Sequence, residues 1–171
     1  MALLSLSDTA NSVIAGGRSP ITRSVITAGA DIKPGFTVQA ETLPDVGLSQ
    51  VYDHTAEETG TNFPCYGVAI ERTDLDIDTV FADNTDIEIV LIGSGTIIRM
   101  CVLAASGTFT AGEKMYLSKT TGGYIMPYQA CITATAPTVD QNAGMHQSFI
   151  GIAQEDYAND ASDDGWVEVL I

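Results

Sequence analysis

Short segments of this chain alternate apolar and polar residues with a period of two, the pattern of half-buried β-strands. The clearest segment runs from residue 86 to residue 92, and a similar one covers residues 166–171. Phe36, Val38 and Ala40 fall on one face of a third segment. Glycine-rich turns separate such segments, and no long window shows the 3.6-residue period of an amphipathic helix. The pattern predicts an all-β protein, either a small β-barrel or a β-sandwich.

A Gly-Ser-Gly sequence at residues 93–95 separates the strand at 86–92 from a second apolar segment at 96–103. Glycine adopts the positive φ angles that tight hairpin turns require. We therefore expect these two segments to pair with each other as a β-hairpin.

The order of motifs indicates two related halves, residues 32–92 and residues 109–171, joined by the strand at 96–103. Each half begins with a turn glycine before an apolar strand and continues with a Gly-apolar-Ala strand, Gly67-Val-Ala69 and Gly151-Ile-Ala153. Self-similarity in a fixed order is typical of internal duplication. The alternative is the ordinary alternation of apolar and polar residues in any β protein. If the halves are related, Gly67 and Gly151 allow a bulge or the close approach of another backbone, and the alanines leave room for a larger neighbour.

An acidic loop follows the Gly-apolar-Ala strand in both halves and leads to a strand with one glutamate between apolar residues. These strands are Ile87-Glu-Ile89 and Val167-Glu-Val169. Since successive side chains of a strand point to opposite faces, Glu88 and Glu168 should point outward while their neighbours point into the core.

The first 23 residues differ from the rest of the chain in composition and charge. Residues 1–34 carry three basic and two acidic side chains, a net charge of +1, which leaves −16 for the remainder of a chain whose total is −15. Ser, Thr, Ala and Gly are frequent here. We predict an extended N-terminal arm at residues 1–23, followed by a β-rich domain at residues 24–171. The arm residues expected to dock on a partner are Leu3, Leu4, Leu6, Val13, Ile14, Arg18 and Arg23.

The strongly acidic charge of the chain limits its partners. With 22 acidic and 7 basic residues, the surface repels nucleic acid and anionic lipid. A halophilic source, in which salt screens the carboxylates, and an ordinary acidic surface protein both account for this charge. No apolar run approaches the ~18 residues of a membrane-spanning helix, and the N-terminus lacks the features of a signal peptide. We therefore expect neither nucleic acid nor a membrane as a partner.

The candidate metal ligands are few and their pattern is weak. Asp74, Asp76 and Asp78 alternate, so an extended backbone would point their carboxylates in one direction, as a Ca²⁺ site needs. The glycine and the closing glutamate of a calcium-binding loop are missing, and a solvated acidic rim is the main alternative. His54 and His146 stand in polar segments and are expected to be surface loop residues. We expect no bound cofactor.

The sequence carries no catalytic motif. A nucleophile elbow, a phosphate-binding loop and a dinucleotide-binding glycine motif are all absent. The three cysteines, Cys65, Cys101 and Cys131, have apolar neighbours and no CxxC spacing, which favours buried free thiols over a metal site; a single disulfide is the alternative. We therefore expect a protein that binds and assembles, and not an enzyme.

The ordered motifs resemble the capsid cement proteins, or head decoration proteins, of tailed viruses. The matching residues are Gly35, Gly67-Val-Ala69, Ile87-Glu-Ile89, Gly93, Gly112, Met115-Tyr-Leu117, Gly123, Ile150-Gly-Ile-Ala153 and Val167-Glu-Val169. The resemblance covers roughly residues 24–171. It departs from the family pattern at Phe36 and Glu113, where that family tends to have aspartate after the glycine.

The resemblance implies a structural virion protein, made in the host cytoplasm, that binds the outer surface of a capsid and stabilises the shell. Its implied partners are the major capsid protein and neighbouring copies of itself, as a homotrimer, and it implies no catalytic residues. A receptor-binding or fibre module of a virion is the alternative. A small hydrolase on a β scaffold is a further alternative.

Overall fold

The computed structural model describes residues 13–29, 31–49, 65–70, 79–104, 107–118, 120–128, 148–158 and 164–171. Eleven β-strands account for about half of these residues, which confirms the all-β prediction. The strands are β1 (Ile14–Gly17), β2 (Thr22–Thr27), β3 (Thr37–Thr42), β4 (Asp45–Leu48), β5 (Gly67–Ala69), β6 (Asp86–Leu91), β7 (Thr96–Val102), β8 (Lys114–Leu117), β9 (Ile125–Pro127), β10 (Phe149–Ala153) and β11 (Gly165–Leu170).

The strands form two closed barrels of five strands each, so the fold is a barrel and not a sandwich. The first barrel has the order β2-β4-β3-β5-β6 and closes through the antiparallel pair of β6 and β2. The second has the order β7-β11-β10-β8-β9 and closes through the pair of β9 and β7. Strand β1 adds to the edge of β7 outside the second barrel. Closure of a sheet on itself reduces the strand edges that are left unpaired, and β1 covers part of the edge of β7.

The two barrels have the same topology, which confirms that the chain consists of two related halves. In each barrel the first and third strands, β2 with β4 and β7 with β9, form a parallel pair. The other four pairs are antiparallel and connect equivalent strands. The halves begin earlier than predicted, at β2 and β7. The strand at 96–103 is therefore the first strand of the second barrel, and not a connector.

The predicted hairpin between 86–92 and 96–103 is wrong. Strand β6 pairs with β2 and β5, whereas β7 pairs with β1, β9 and β11. The turn at 93–95 carries the chain from one barrel to the other. Its Gly95 donates its N–H to the carbonyl of Ile171 at 2.7 Å and accepts a hydrogen bond from the N–H of Arg18 at 2.9 Å. The turn is thus bonded to two distant segments, which holds its flanking strands apart.

The repeated glycines and glutamates behave as the sequence predicts. A Cβ atom on Gly67 would lie 2.6 Å from the carbonyl oxygen of Val90, and one on Gly151 would lie 2.2 Å from that of Leu170. Both glycines therefore permit the close approach of the next strand of their barrel. Glu88 is exposed and Glu168 is half-buried, while the flanking residues of both face the core.

The inside of the first barrel is filled by one hydrophobic cluster, whose largest fully buried members are Phe81, Ile32 and Ile89. A second cluster fills the other barrel and also includes Val68, Ile70 and Val90, which lie on the outer face of the first. The outer face of the first barrel is therefore part of the contact between the barrels. Burial of apolar surface between them is favourable by about 25 cal/mol per Å².

Hydrogen bonds from the turn before β3 hold the barrels together. The carbonyl of Gly35 accepts the N–H of Cys101 at 3.2 Å, and the N–H of Thr37 donates to the carbonyl of Gly123 at 2.8 Å. Gly35 has a φ of 81°, and a Cβ there would lie 2.2 Å from a ring carbon of Trp166. Only glycine therefore fits between this turn and the second barrel.

Candidate binding surface

The largest concentration of exposed apolar side chains lies on the outside of the second barrel. We call it the β8–β11 face and define it by the exposed Tyr128, Phe149, Ile152 and Leu170, together with the buried Tyr116 that lies among the aromatic rings. Phe149, Ile152 and Leu170 are 39%, 38% and 37% exposed, and Tyr128 is 42% exposed. The outward side of a barrel strand normally carries polar residues, and exposed apolar groups that lie together mark interaction sites.

Strand pairing and ring contacts make this face continuous. Ile152 lies beside Leu170 across the β10–β11 pair, and Phe149 lies beside Tyr116 across the β8–β10 pair. The ring of Tyr116 lies 5.8 Å, between centroids, from the rings of both Tyr128 and Phe149. Aromatic rings with a polar tip are enriched at protein interfaces. The face therefore joins an aromatic half to an aliphatic half.

Charge at the border of the face is nearly balanced, unlike the charge of the whole chain. Lys114 pairs with Ile152 across β8 and β10 and is exposed. Arg99 lies 3.2 Å from Glu168, with both side chains partly exposed. A chain of net charge −15 repels most acidic surfaces, so a locally neutral, apolar face is where an acidic partner can approach.

The structure places the predicted arm residues in two groups. Leu3, Leu4 and Leu6 lie outside the described residues. Val13 is fully buried in the hydrophobic cluster of the second barrel, and Ile14 begins β1 and packs against that cluster. These two residues are therefore part of the body, and their prediction as docking residues is corrected.

The described basic residues of the predicted arm also belong to the body. Arg18 is exposed, and its backbone N–H is bonded to the carbonyl of Gly95. Arg23 is an exposed residue of β2 that donates to the hydroxyl of Tyr66, with its guanidinium 5.7 Å from the ring centroid. The arm boundary at residue 23 is thus too late, because Val13 is buried and the partly buried Ile14 begins β1, which pairs with β7.

The candidate metal ligands Asp74, Asp76 and Asp78, like His54 and His146, lie outside the described residues. Within the part of the chain that the structure describes, no group of three or more His, Cys, Asp or Glu side chains could hold a metal ion.

A tyrosine–carboxylate pair lies near the contact between the barrels. The hydroxyl of Tyr124 donates to Asp164 at 2.6 Å, and its ring packs on Phe36 with centroids 4.8 Å apart. Removal from water, together with the neighbouring Asp164 carboxylate, raises the pKa of Tyr124 above its usual 10.0. The backbone N–H of Ala104 donates to the same carboxylate. The pair therefore ties three segments together and keeps the tyrosine protonated.

Two described cysteines are free thiols, as predicted: Cys101 is buried and Cys65 is partly buried. Cys131 lies outside the described residues. Burial raises the pKa of the Cys65 thiol to about 12. A thiol with so high a pKa is a poor nucleophile at neutral pH.

The sequence interpretation missed the β8–β11 face, although one signal for it was present. Gly151 and Ala153 point inward in the repeat, so Ile152 between them had to point outward despite being apolar. The same alternation places Leu170 outward beside the inward Val169. Isoleucine and leucine at outward positions could have been identified as a candidate contact.

A scan of protein-family models finds no match to this chain, and a search of curated proteins finds no significant relative. Among the described residues, no helix is both long enough and apolar enough to cross a membrane.

Proposed function

We infer that this chain is a structural virion protein that binds the outer surface of a viral capsid and stabilises the shell. The observation that supports this proposal most strongly is the β8–β11 face. Large apolar side chains exposed on the outside of a closed barrel serve protein–protein contact better than catalysis. The ordered motifs shared with capsid cement proteins indicate which kind of contact. The proposed partners are the major capsid protein and further copies of this chain, as a homotrimer.

The N-terminal segment is the second proposed contact with the shell. Residues 1–12 join the body at Val13, whose carbonyl accepts the N–H of Arg99 at 2.8 Å. Leu3, Leu4 and Leu6 supply apolar side chains in a segment with one acidic residue, which an acidic shell repels less than it repels the body. Many copies on one lattice convert weak single contacts into high avidity.

Binding to empty shells tests the proposal. Purified chain is mixed with shells that lack it, the shells are sedimented, and bound chain is counted per shell protein. We expect saturation at a fixed lattice stoichiometry and a higher melting temperature for the decorated shells. Absence of binding by the intact chain, or saturation at a few copies per particle, would contradict capsid decoration; the second result would favour a fibre or receptor-binding module.

Two variants separate the proposed contacts with the shell. A chain without residues 1–12 should stay folded, because all the strands of both barrels follow residue 13, and should lose shell binding. Tyr128→Ser with Phe149→Ser should weaken binding through the aromatic half of the face. The matched control is Val80→Ser, since Val80 is an exposed apolar residue outside this face. If the truncated chain and the double variant both bind as the wild type does, neither contact holds the chain on the shell.

A further inference from the structure

The two barrels correspond strand by strand, so each position on one barrel has a counterpart on the other. Ala69 pairs with Ile89 in the first barrel, and Ala153 pairs with Val169 in the second. The remaining strand pairs extend this register. The outward positions that correspond include Val68 with Ile152, Val90 with Leu170, Gln39 with Tyr116, Ser49 with Tyr128, and Cys65 with Phe149.

On the first barrel this outer face is covered. Val68 and Val90 are fully buried and belong to the hydrophobic cluster of the second barrel, and Gln39 and Ser49 are also buried. Their counterparts on the second barrel are apolar or aromatic, and four of the five are more than a third exposed. The same face of the repeat is therefore a contact in one barrel and an open apolar surface in the other.

The turn between β8 and β9 is part of what covers the first barrel. Its Gly123 donates its N–H to the hydroxyl oxygen of Ser49 at 3.1 Å. A Cβ atom on Gly122 would lie 2.7 Å from the carbonyl oxygen of Ser49. A side chain of Leu48 lies close to both glycines. The second barrel thus uses the turn between its second and third strands to contact the outer face of the first.

The equivalent turn of the first barrel, between β3 and β4, is exposed. Its Leu43 is 59% exposed, the highest value among the large apolar side chains of the described residues. Each chain therefore presents an open outer face on its second barrel. It also presents an exposed apolar turn on its first barrel, the counterpart of the turn that contacts part of the first barrel's outer face, at Leu48 and Ser49, within the chain.

We propose that the aliphatic half of the β8–β11 face, Ile152 and Leu170, binds a second copy of this chain, whose β3–β4 turn places Leu43 against these two residues. The two surfaces are different, so the contact is heterologous and joins chains head to tail. Such a contact forms a ring when the rotation between copies closes. The inference rests on the self-association included in the proposed function and identifies the surfaces that produce it. In a homotrimer, three chains would form a ring of six barrels.

Charge permits this contact. At the border of the face, Lys114 lies opposite Ile152. In the other surface, Asp45 lies two residues after Leu43. The exposed Asp86 is close to Asp45, since both pair with the same residue of β2. Opposite charges at the edge of an apolar contact set its orientation. Two chains of net charge −15 otherwise repel each other, so the association should strengthen as salt rises.

The test uses two full-length variants in sedimentation-velocity runs without any shells. Ile152→Glu with Leu170→Lys places opposite charges in a cross-strand pair, which preserves the net charge and the strand pairing. Leu43→Asp changes only the turn, and Val80→Asp is its matched control. Near-ultraviolet circular dichroism and the melting temperature confirm that each variant is folded.

We expect the wild type and Val80→Asp to sediment at a multiple of the 18.0 kDa chain mass, and each contact variant to sediment as a single chain. Mixing the two contact variants should restore a species of two chains, because each retains the surface that the other lacks. A wild type that sediments as a single chain overturns the proposal. An oligomer that persists in either contact variant also overturns the proposal. A mixture of the two contact variants that forms no two-chain species overturns it as well. If removing residues 1–12 alone dissociates the oligomer, the face binds that segment, and not the β3–β4 turn. If this test fails while the intact chain still binds shells, the proposed binding to the capsid stands and only the proposed contact between copies is overturned.

Discussion

Replacing Gly151 with alanine should destabilise the second barrel, because the backbone of the next strand occupies the space that the new methyl group needs. A Cβ atom there would lie 2.2 Å from the carbonyl oxygen of Leu170 and 2.8 Å from Cγ1 of Val169. Non-bonded carbon atoms are most favourable at about 3.5–4.0 Å. Leu170 belongs to β11, which also pairs with β7. Its carbonyl therefore cannot retreat without disturbing that pair.

The expected loss follows from two opposing effects. Overpacking a tight site costs about 1–3 kcal/mol, and a clash with backbone belongs at the upper end of that range. Replacing glycine also restricts the unfolded chain, which returns about 0.4–1 kcal/mol. The free energy of unfolding should therefore fall by about 2 kcal/mol, which lowers the melting temperature by roughly 4–8 °C for a chain of this size.

Thermal and urea unfolding, followed by circular dichroism, measure this effect. Gly16→Ala is the matched control, because its Cβ would lie 3.9 Å from the nearest atom, Cδ1 of Ile97, an ordinary contact. Gly67→Ala, at the corresponding position of the first barrel, meets the carbonyl of Val90 at 2.6 Å and should lose less stability. A Gly151→Ala protein as stable as the Gly16→Ala control would refute the close approach of β10 and β11.

Three further predictions address other parts of the molecule. Val13→Ala removes two methyl groups from a fully buried side chain and should lower the free energy of unfolding, measured by urea unfolding, by roughly 2 kcal/mol. An unchanged free energy of unfolding would mean that Val13 belongs to the arm and not to the core. Exposed ion pairs are weak, so a double-mutant cycle on Arg99 and Glu168 should give a coupling below about 1 kcal/mol, and a larger value would mean a structural role. Because folding raises the pKa of Tyr124, the stability it contributes is present below pH 10.0 and is lost as the pH rises through the raised pKa. Tyr124→Phe should therefore show a flatter decline of melting temperature above that pH, and an unchanged decline would exclude the contribution of this tyrosine.

Local alternation and the repeat were sufficient to predict the all-β class and the roles of the repeated residues, but not β1, which lies in the predicted arm. Gly67 and Gly151 could be identified because each is the first residue of the same Gly-apolar-Ala pattern. Glu88 and Glu168 could be placed outward because a period of two settles which side chains share a face. These features depend on sequence neighbours alone.

The pairing of strands could not be predicted in the same way. The Gly-Ser-Gly turn at 93–95 is compatible with a hairpin, but closure of each barrel offers both flanking strands better partners far along the chain. Val13 shows the same limit, since apolar residues beside glycines fit a docking arm and an edge strand equally well. The binding face required knowing which residues the strand pairs bring together across β8, β10 and β11.

The location of the chain on virus particles tests the account most directly. Electron cryomicroscopy of purified virions, or of shells incubated with the chain, would show whether two-barrel density lies on the outer surface and how often it repeats. The account predicts such density at regular lattice positions over the whole shell. Density confined to vertices or the tail, or no density on particles that are saturated with the chain, would contradict it.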